Sequence, residues 1–255
     1  MGPEPAGADR TPRVSVILPA HDEAATIAAV VRDCRAAVRP LEEVIVVDDG
    51  SADRTADAAA EAGARVIRLG RNHGKGHALR VGIEQSVGDV LVFLDADGQD
   101  DPFEIPLLLE PISTGADLVI GSRFLGRFDA GAITAVNRLG TVALNRIVNA
   151  LFGARITDLL AGFRAVRRTL LERVTLQAKG YDIEADLLLQ ALRIGARVVE
   201  VPVRRGARRE GRSGLSPIAD GLRILRRILY VRIRPETHVS GRARTRVCND
   251  PTPRD

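Results

Sequence analysis

Tryptophan is absent from this 255-residue chain, and there are only two tyrosines, one methionine, two cysteines and two lysines. Each shortage excludes something. Cys34 and Cys248 lie far apart in the sequence, so no disulfide framework is expected, and the cysteine usage points to a cytoplasmic protein. No apolar run approaches the ~18 residues of a membrane span, and "MGPEPAGADRTPR" lacks the apolar core of a secretory signal. The first β-like run is followed by "PAHDEAA". That segment lacks the G-x-G-x-x-G of nicotinamide dehydrogenases and the glycine-rich loop expected of a nucleotidyltransferase.

What is present is an ordinary soluble globular mixture: 45% hydrophobic and 27% charged residues can build and solvate a sizeable core. The net charge of +4 is unevenly placed. Thirteen arginines fall between Arg204 and Arg246, against Glu210, Asp220 and Glu236. Such a basic end suits phosphates or an anionic membrane surface, or is simply a solvated face. No nucleic-acid partner is expected. Because arginine is used almost everywhere, Lys75 and Lys179 stand out as places where a compact ammonium is wanted.

The first half alternates β-branched runs with helical stretches. Strands are predicted near residues 14–18, 43–47, 65–69, 89–94 and 117–121, and a later one near 197–204. This is the pattern of an α/β fold with a mostly parallel sheet flanked by helices. Helices are predicted over 132–153, from about 183 to 194, and from about 217 to 231. The last of these places Ile218, Leu222, Leu225 and Leu229 on one face, with Arg223, Arg226 and Arg227 off it. Four segments are expected: a disordered tail over 1–11, a catalytic domain over 12–216, an amphipathic helix over 217–234, and a disordered tail over 235–255.

In such a sheet, ligands sit beyond the carboxyl ends of the strands, and here those ends are rich in chemistry. "VFLDADGQDDP" places Asp95 and Asp97 at i and i+2 past a buried strand, with Gln99 two further on. A divalent cation would relieve the repulsion between the carboxylates. The plain alternative is a solvated strand-end turn; Asp100 and Asp101, before Pro102, are expected to cap the next helix. The D-x-D-G string also resembles the haloacid-dehalogenase-like phosphatases, but that family places it after the first strand and follows it with Thr or Val. "VVDDGSADRT" sets Asp48 and Asp49 at another strand end, where Ser51 or Asp53 could cap a helix or a carboxylate could read a nucleobase N–H.

Taken in order, "VSVILPAHDEAATI", "VIVVDDGSADRT", "RNHGKGHALRVGI", "FLDADGQDDP", "VIGSRF", "ITDLLAGFRAV" and "KGYDIEADLLLQALRIGARVVEVPV" resemble the family 2 glycosyltransferases of GT-A fold. The nearest branch is that of the dolichol-phosphate mannosyltransferases, and the resemblance spans about residues 13 to 228. It implies that Pro19, Ala20, His21 and Glu23 line the nucleoside. It also implies that Asp48 and Asp49 read the base, and that Lys75, Asp95 and Ala96 lie by the nucleotide sugar. Asp95, Asp97 and Gln99 match a D-A-D-x-Q site for Mg²⁺ or Mn²⁺. Arg123, Arg138 and Thr141 match positions that hold the acceptor phosphate. The segment "RREGRSGLS" matches a basic loop in which Gly214 stands where the family has lysine, leaving Arg208, Arg209 and Arg212 as its cations.

The family inverts configuration, moving a hexose from a nucleoside-diphosphate sugar such as GDP-mannose or UDP-glucose. Asp95, Asp97 and Arg123 are the expected catalytic residues. A hydroxyl acceptor needs a general base, for which Asp182 and Glu184 are candidates, whereas a phosphate is already anionic. The arginines at the implied acceptor site favour a polyprenyl phosphate. That acceptor would bring the protein to the cytoplasmic face of a membrane as a peripheral partner. The alternatives are a soluble hydroxyl or glycan acceptor, or a catalytically silent sugar-nucleotide-binding protein.

Overall fold

The computed structural model describes residues 12–207 and 217–233. Both expected tails, and Arg208, Arg209, Arg212 and Gly214, lie outside the described residues.

In chain order the elements are β1 (Val14–Ala20), α1 (Ile27–Ala37), β2 (Leu41–Asp48), α2 (Thr55–Glu61), β3 (Arg65–Arg68), α3 (Lys75–Gln85) and β4 (Val90–Phe93). A short 3-10 turn (Pro102–Glu104) leads into α4 (Ile105–Ser113), then β5 (Leu118–Phe128) and α5 (Ala135–Phe152). The chain continues through β6 (Arg164–Arg167), α6 (Arg168–Leu171), α7 (Ile183–Arg193), β7 (Val198–Arg205) and α8 (Pro217–Ile233).

The strands form one seven-stranded sheet of order β3-β2-β1-β4-β6-β5-β7. The β1–β2, β1–β4, β2–β3 and β5–β7 pairs are parallel, and only β6 runs against its neighbours. β1 and β4 are buried nearly throughout, which explains why apolar residues dominate both: a central strand is covered on both faces. Helices α1, α2 and α4 cover one face of the sheet, and α3, α5, α7 and α8 the other.

β6 and β5 differ from the sequence expectation. β6 was not expected, because "RAVR" sets two small apolar residues between arginines. It inserts as a strand because Arg164 is fully buried and donates to three carbonyls, those of Leu159, Ala161 and Glu184. β5 also runs on to Phe128, with a register shift after Ser122, and meets the end of β7.

On α8 the face carrying Leu222 and Leu229 is open to solvent rather than packed on the domain. Ile224, Ile228 and Val231 are buried, whereas Leu222 and Leu229 are 56% and 46% exposed. Arg227, expected off the apolar face, turns inward and pairs with the fully buried Asp186 at 2.6 Å. The helix therefore carries two apolar stripes, and the β-branched one seats it on α7. The side chain of Ile218 lies outside the described residues.

Candidate functional site

The carboxyl ends of β1, β2 and β4 open on one side of the sheet, where the start of α7 and the end of β7 join them. Asp95 and Asp97 follow β4 directly, and Asp97 Oδ1 accepts the Gln99 amide at 3.0 Å, which folds the turn tightly. Thr26, just before α1, donates its hydroxyl to the Ala96 carbonyl at 2.8 Å and fixes the turn from behind. Asp101 caps the 3-10 turn through the Phe103 amide, as expected. Asp100 does not cap. It is buried, and its Oδ2 lies 2.6 Å from Arg205 Nη1 in an ion pair too bent to be a hydrogen bond.

Arg205, at the end of β7, was not foreseen. Its Nη2 lies 3.4 Å from Asp95 Oδ2, 3.5 Å from Asp97 Oδ2 and 3.0 Å from Gln99 Oε1. Three oxygens thus converge on one positive charge, the all-oxygen donor set that Mg²⁺ or Mn²⁺ takes. No group of three or more His, Cys, Asp or Glu ligands occurs among the described residues. A divalent cation here would be held by Asp95, Asp97 and Gln99 and would draw its remaining ligands from water and substrate phosphates, as Mg²⁺ commonly does. The residues fit on those terms. Burial and the neighbouring Asp95 charge push the Asp97 carboxyl above its usual value, with Arg205 opposing. Burial also works to raise Asp95, but the Lys75 and Arg205 charges outweigh it and hold Asp95 well below the carboxylate range.

Lys75 sits among carboxylates at the start of α3. Its ammonium bridges Asp95 Oδ1 and Glu184 Oε1, each at 2.6 Å. Burial alone would lower its pKa; the two carboxylates reverse that and raise it, so it stays charged. The "GKG" glycines make this seat. A Cβ at Gly74 would stand 2.6 Å from the Lys179 carbonyl oxygen, and one at Gly76 would stand 2.7 Å from that of Ala178. Only glycine lets the start of α3 come this close to the segment before α7. Asp182 is the N-cap residue of α7 but makes no side-chain cap; it accepts the Gly180 amide at 3.2 Å.

The segment after β1 is latched to the one after β2. The Asp22 amide donates to Ser51 Oγ, the Ala52 amide returns to Asp22 Oδ1, and the Glu23 amide donates to Thr55 Oγ1. Pro19, Ala20, His21 and Glu23 therefore border Asp48 and Asp49. Asp48 and Asp49 already accept backbone amides: Asp48 takes Ser51, and Asp49 takes His73 and Gly74 at 2.8 and 2.7 Å. Asp49 thereby fixes the loop that delivers Lys75.

Arg123, within β5, is gripped by Asp158 through Nε at 2.6 Å and Nη2 at 2.7 Å, leaving Nη1 as the edge outside this fork. Asp158 is held in turn. Glu200 accepts the Thr157 and Asp158 amides, and Asn145 of α5 binds the same loop at Leu159. Sequence reasoning gave roles to none of Asp158, Glu200 and Arg205. The period-two pattern of β7 held a signal for Arg205, which shares its face with buried Val203. Arg138 is exposed on α5, while Thr141 is buried and donates to the Asn137 carbonyl. Among the described residues, no hydrogen bond or ion pair joins either to Asp95, Asp97 or Arg123.

Residues 15–175 match the family described as Glycosyl transferase family 2. The undecaprenyl-phosphate mannosyltransferase of Micrococcus luteus is 36% identical over 219 residues, covering 80% of this chain and 88% of that one. The polyprenol monophosphomannose synthase of Mycolicibacterium smegmatis is 34% identical over 231 residues, covering 84% and 85%. Among solved structures, the glucosyl-3-phosphoglycerate synthase of Mycobacterium tuberculosis in complex with Mn²⁺, uridine diphosphate and phosphoglyceric acid superposes with a TM-score of 0.71. It is 29% identical and covers 89% of this chain and 80% of that one.

Proposed function

The chain belongs to glycosyl transferase family 2, and we propose that it moves a hexose from a GDP-mannose or UDP-glucose type of donor to a polyprenyl phosphate, with inversion at the anomeric carbon. The observation that carries the acceptor assignment is the ion pair of Glu184 with Lys75 at 2.6 Å. That carboxylate, one of the two candidate bases, is already engaged by a cation. An anionic phosphate acceptor needs no base. The relatives named for polyprenol and undecaprenyl phosphate support the same reading.

In this proposal the nucleoside lies between the ends of β1 and β2, against Pro19, Ala20, His21, Glu23, Asp48 and Asp49. Arg123, oriented by Asp158, offers its remaining edge to a phosphate. Guanidinium suits that partner because its planar fork matches phosphate oxygens. A Mg²⁺ or Mn²⁺ ion held by Asp95, Asp97 and Gln99 would supply positive charge for the departing diphosphate. In this proposal the same residues align attacker and donor, and such positioning together with preorganised charge supplies the rate.

Glu184→Gln tests the acceptor. Transfer to a phosphate should stay within about threefold of the unaltered enzyme, whereas loss of a true general base costs roughly 10²–10⁴-fold. A loss of that larger size, with the unfolding transition preserved, would favour a second reading. In it the acceptor is a soluble hydroxyl compound, of which the phosphoglyceric acid bound by the solved neighbour is a precedent.

A lipid-linked acceptor must be met at a bilayer, and we place that contact on the α5–α8 face. No helix among the described residues is long and apolar enough to cross a membrane. α5 and α8 pack together and leave Val136, Leu139, Leu222, Leu229 and Ile233 exposed. Arg138, Arg146, Arg226 and Arg232 are exposed on the same two helices. Apolar side chains flanked by arginines suit the headgroup region, each cation contributing about 1 kcal/mol on anionic lipid. The protein should float with anionic liposomes at low salt and be released by high salt. The double variant Leu222→Glu, Leu229→Glu should lose flotation without losing its melting transition, because both side chains already face solvent.

A further inference from the structure

The guanidinium of Arg205 sits where the three candidate metal-ligand oxygens converge. Nη2 reaches Asp95 Oδ2, Asp97 Oδ2 and Gln99 Oε1 within 3.0 to 3.5 Å. A Mg²⁺ or Mn²⁺ ion held by the same three oxygens would stand against that nitrogen. Two positive centres cannot share the position.

The seat of Arg205 is also imperfect. Asp100 Oδ2, on the far side of the guanidinium, is the one buried side-chain polar atom among the described residues without a hydrogen bond. Its 2.6 Å contact with Nη1 supplies charge but no good angle. The backbone, by contrast, is firmly placed. Arg205 pairs with Phe128 and bridges to Asp100, and the Gly206 amide donates to the Gln99 carbonyl at 2.7 Å. Gln99 Nε2 returns a bond to the Gly206 carbonyl at 2.9 Å. The strand end is stitched to the acidic turn, so only the long side chain is free to change place.

We infer that Arg205 is a resident counter-cation of the Asp95–Asp97–Gln99 position, and that Arg205 and a divalent cation occupy it alternately, so that loading the metal requires the guanidinium to leave. This rests on the metal-dependent reading above and adds to it a residue that sets how tightly the metal is held. Without the metal, Arg205 keeps two adjacent buried carboxylates from repelling each other across the fold. With the metal, the displaced guanidinium is left beside the donor site, where a diphosphate is its natural partner.

The test is binding of Mn²⁺ alone, followed by the electron paramagnetic resonance of the free ion, to the full chain and to Arg205→Gln. The variant should bind Mn²⁺ at least tenfold more tightly, and its melting temperature should fall in EDTA and recover when Mn²⁺ is added. In the unaltered protein, the Arg205 side-chain Nε–H resonance, assigned by its absence from Arg205→Gln or Arg205→Lys, should shift when Mg²⁺ is added. If Arg205→Gln does not fold, that resonance decides alone, and its failure to move in saturating Mg²⁺ overturns the inference. Equal or weaker Mn²⁺ binding by a folded Arg205→Gln overturns the inference and leaves the metal reading standing. Mn²⁺ bound by neither protein overturns both.

Discussion

Asp97→Asn is expected to lower glycosyl transfer by about two to three orders of magnitude, the range seen when one preorganised group that stabilises developing charge is removed. The fold should survive, because the carboxylate contributes unfavourably to it. Asp97 is buried beside Asp95, and both burial and that neighbouring charge raise its pKa. Asparagine keeps the side-chain oxygen that accepts the Gln99 amide at 3.0 Å and removes the repulsion. Thermal unfolding in EDTA should therefore be unchanged or shifted upward while kcat collapses. Transfer within a few fold of the unaltered enzyme would show that Asp97 takes no part. EDTA should silence the unaltered enzyme in the same assay, and Mg²⁺ or Mn²⁺ should restore it.

Lys75→Met is expected to damage the fold itself. Lys75 lies between Asp95 and Glu184 at 2.6 Å from each, and both of its partners are at least partly buried. Removing the cation strands charge in a poorly solvated place, which typically costs 3–5 kcal/mol. Arg205, at 3.4 Å from Asp95, compensates only in part. The sign of the pH dependence follows. In the unaltered protein the Asp95 carboxyl lies below its ordinary value, so it contributes stability above about pH 4 that is lost as pH falls through the folded value. Without Lys75 that contribution shrinks, and the stranded charge is relieved by protonation. The deficit of Lys75→Met in urea unfolding should thus be largest near neutral pH and diminish toward pH 4. A constant deficit across that range would show that Lys75 acts through packing rather than charge.

The parts of the fold readable in the sequence were those specified by apolar pattern. β1, β2, β4 and the start of β5 are buried runs bounded by acidic turns, and each was found where the run lay. β6 was hidden because its stability comes from Arg164 donating to three carbonyls, an interaction without periodicity. The candidate site was legible as positions but not as partners. Strand ends located Asp48, Asp49, Asp95 and Asp97. Nothing in the string announced that Asp158 would grip Arg123 or that Lys75 would be taken by two carboxylates. The alternation of β7 marked Arg205 as inward-facing without naming the acidic turn as its partner. In a chain that uses arginine almost everywhere, a buried guanidinium looks like a solvated one until its partners are placed. α8 shows the same limit. Its sequence carries two apolar stripes, and only packing on α7 decides which one faces solvent.

The most direct test of the central claim is transfer of labelled sugar to lipid. The purified full chain is incubated with Mn²⁺ or Mg²⁺, labelled GDP-mannose or UDP-glucose, and a short polyprenyl phosphate, and the organic extract is counted. The account predicts label in the organic phase with at least one donor, dependent on the metal and lost in Asp97→Asn. Donor turnover that leaves label only in water-soluble products, or binding of the donors without turnover, would contradict it.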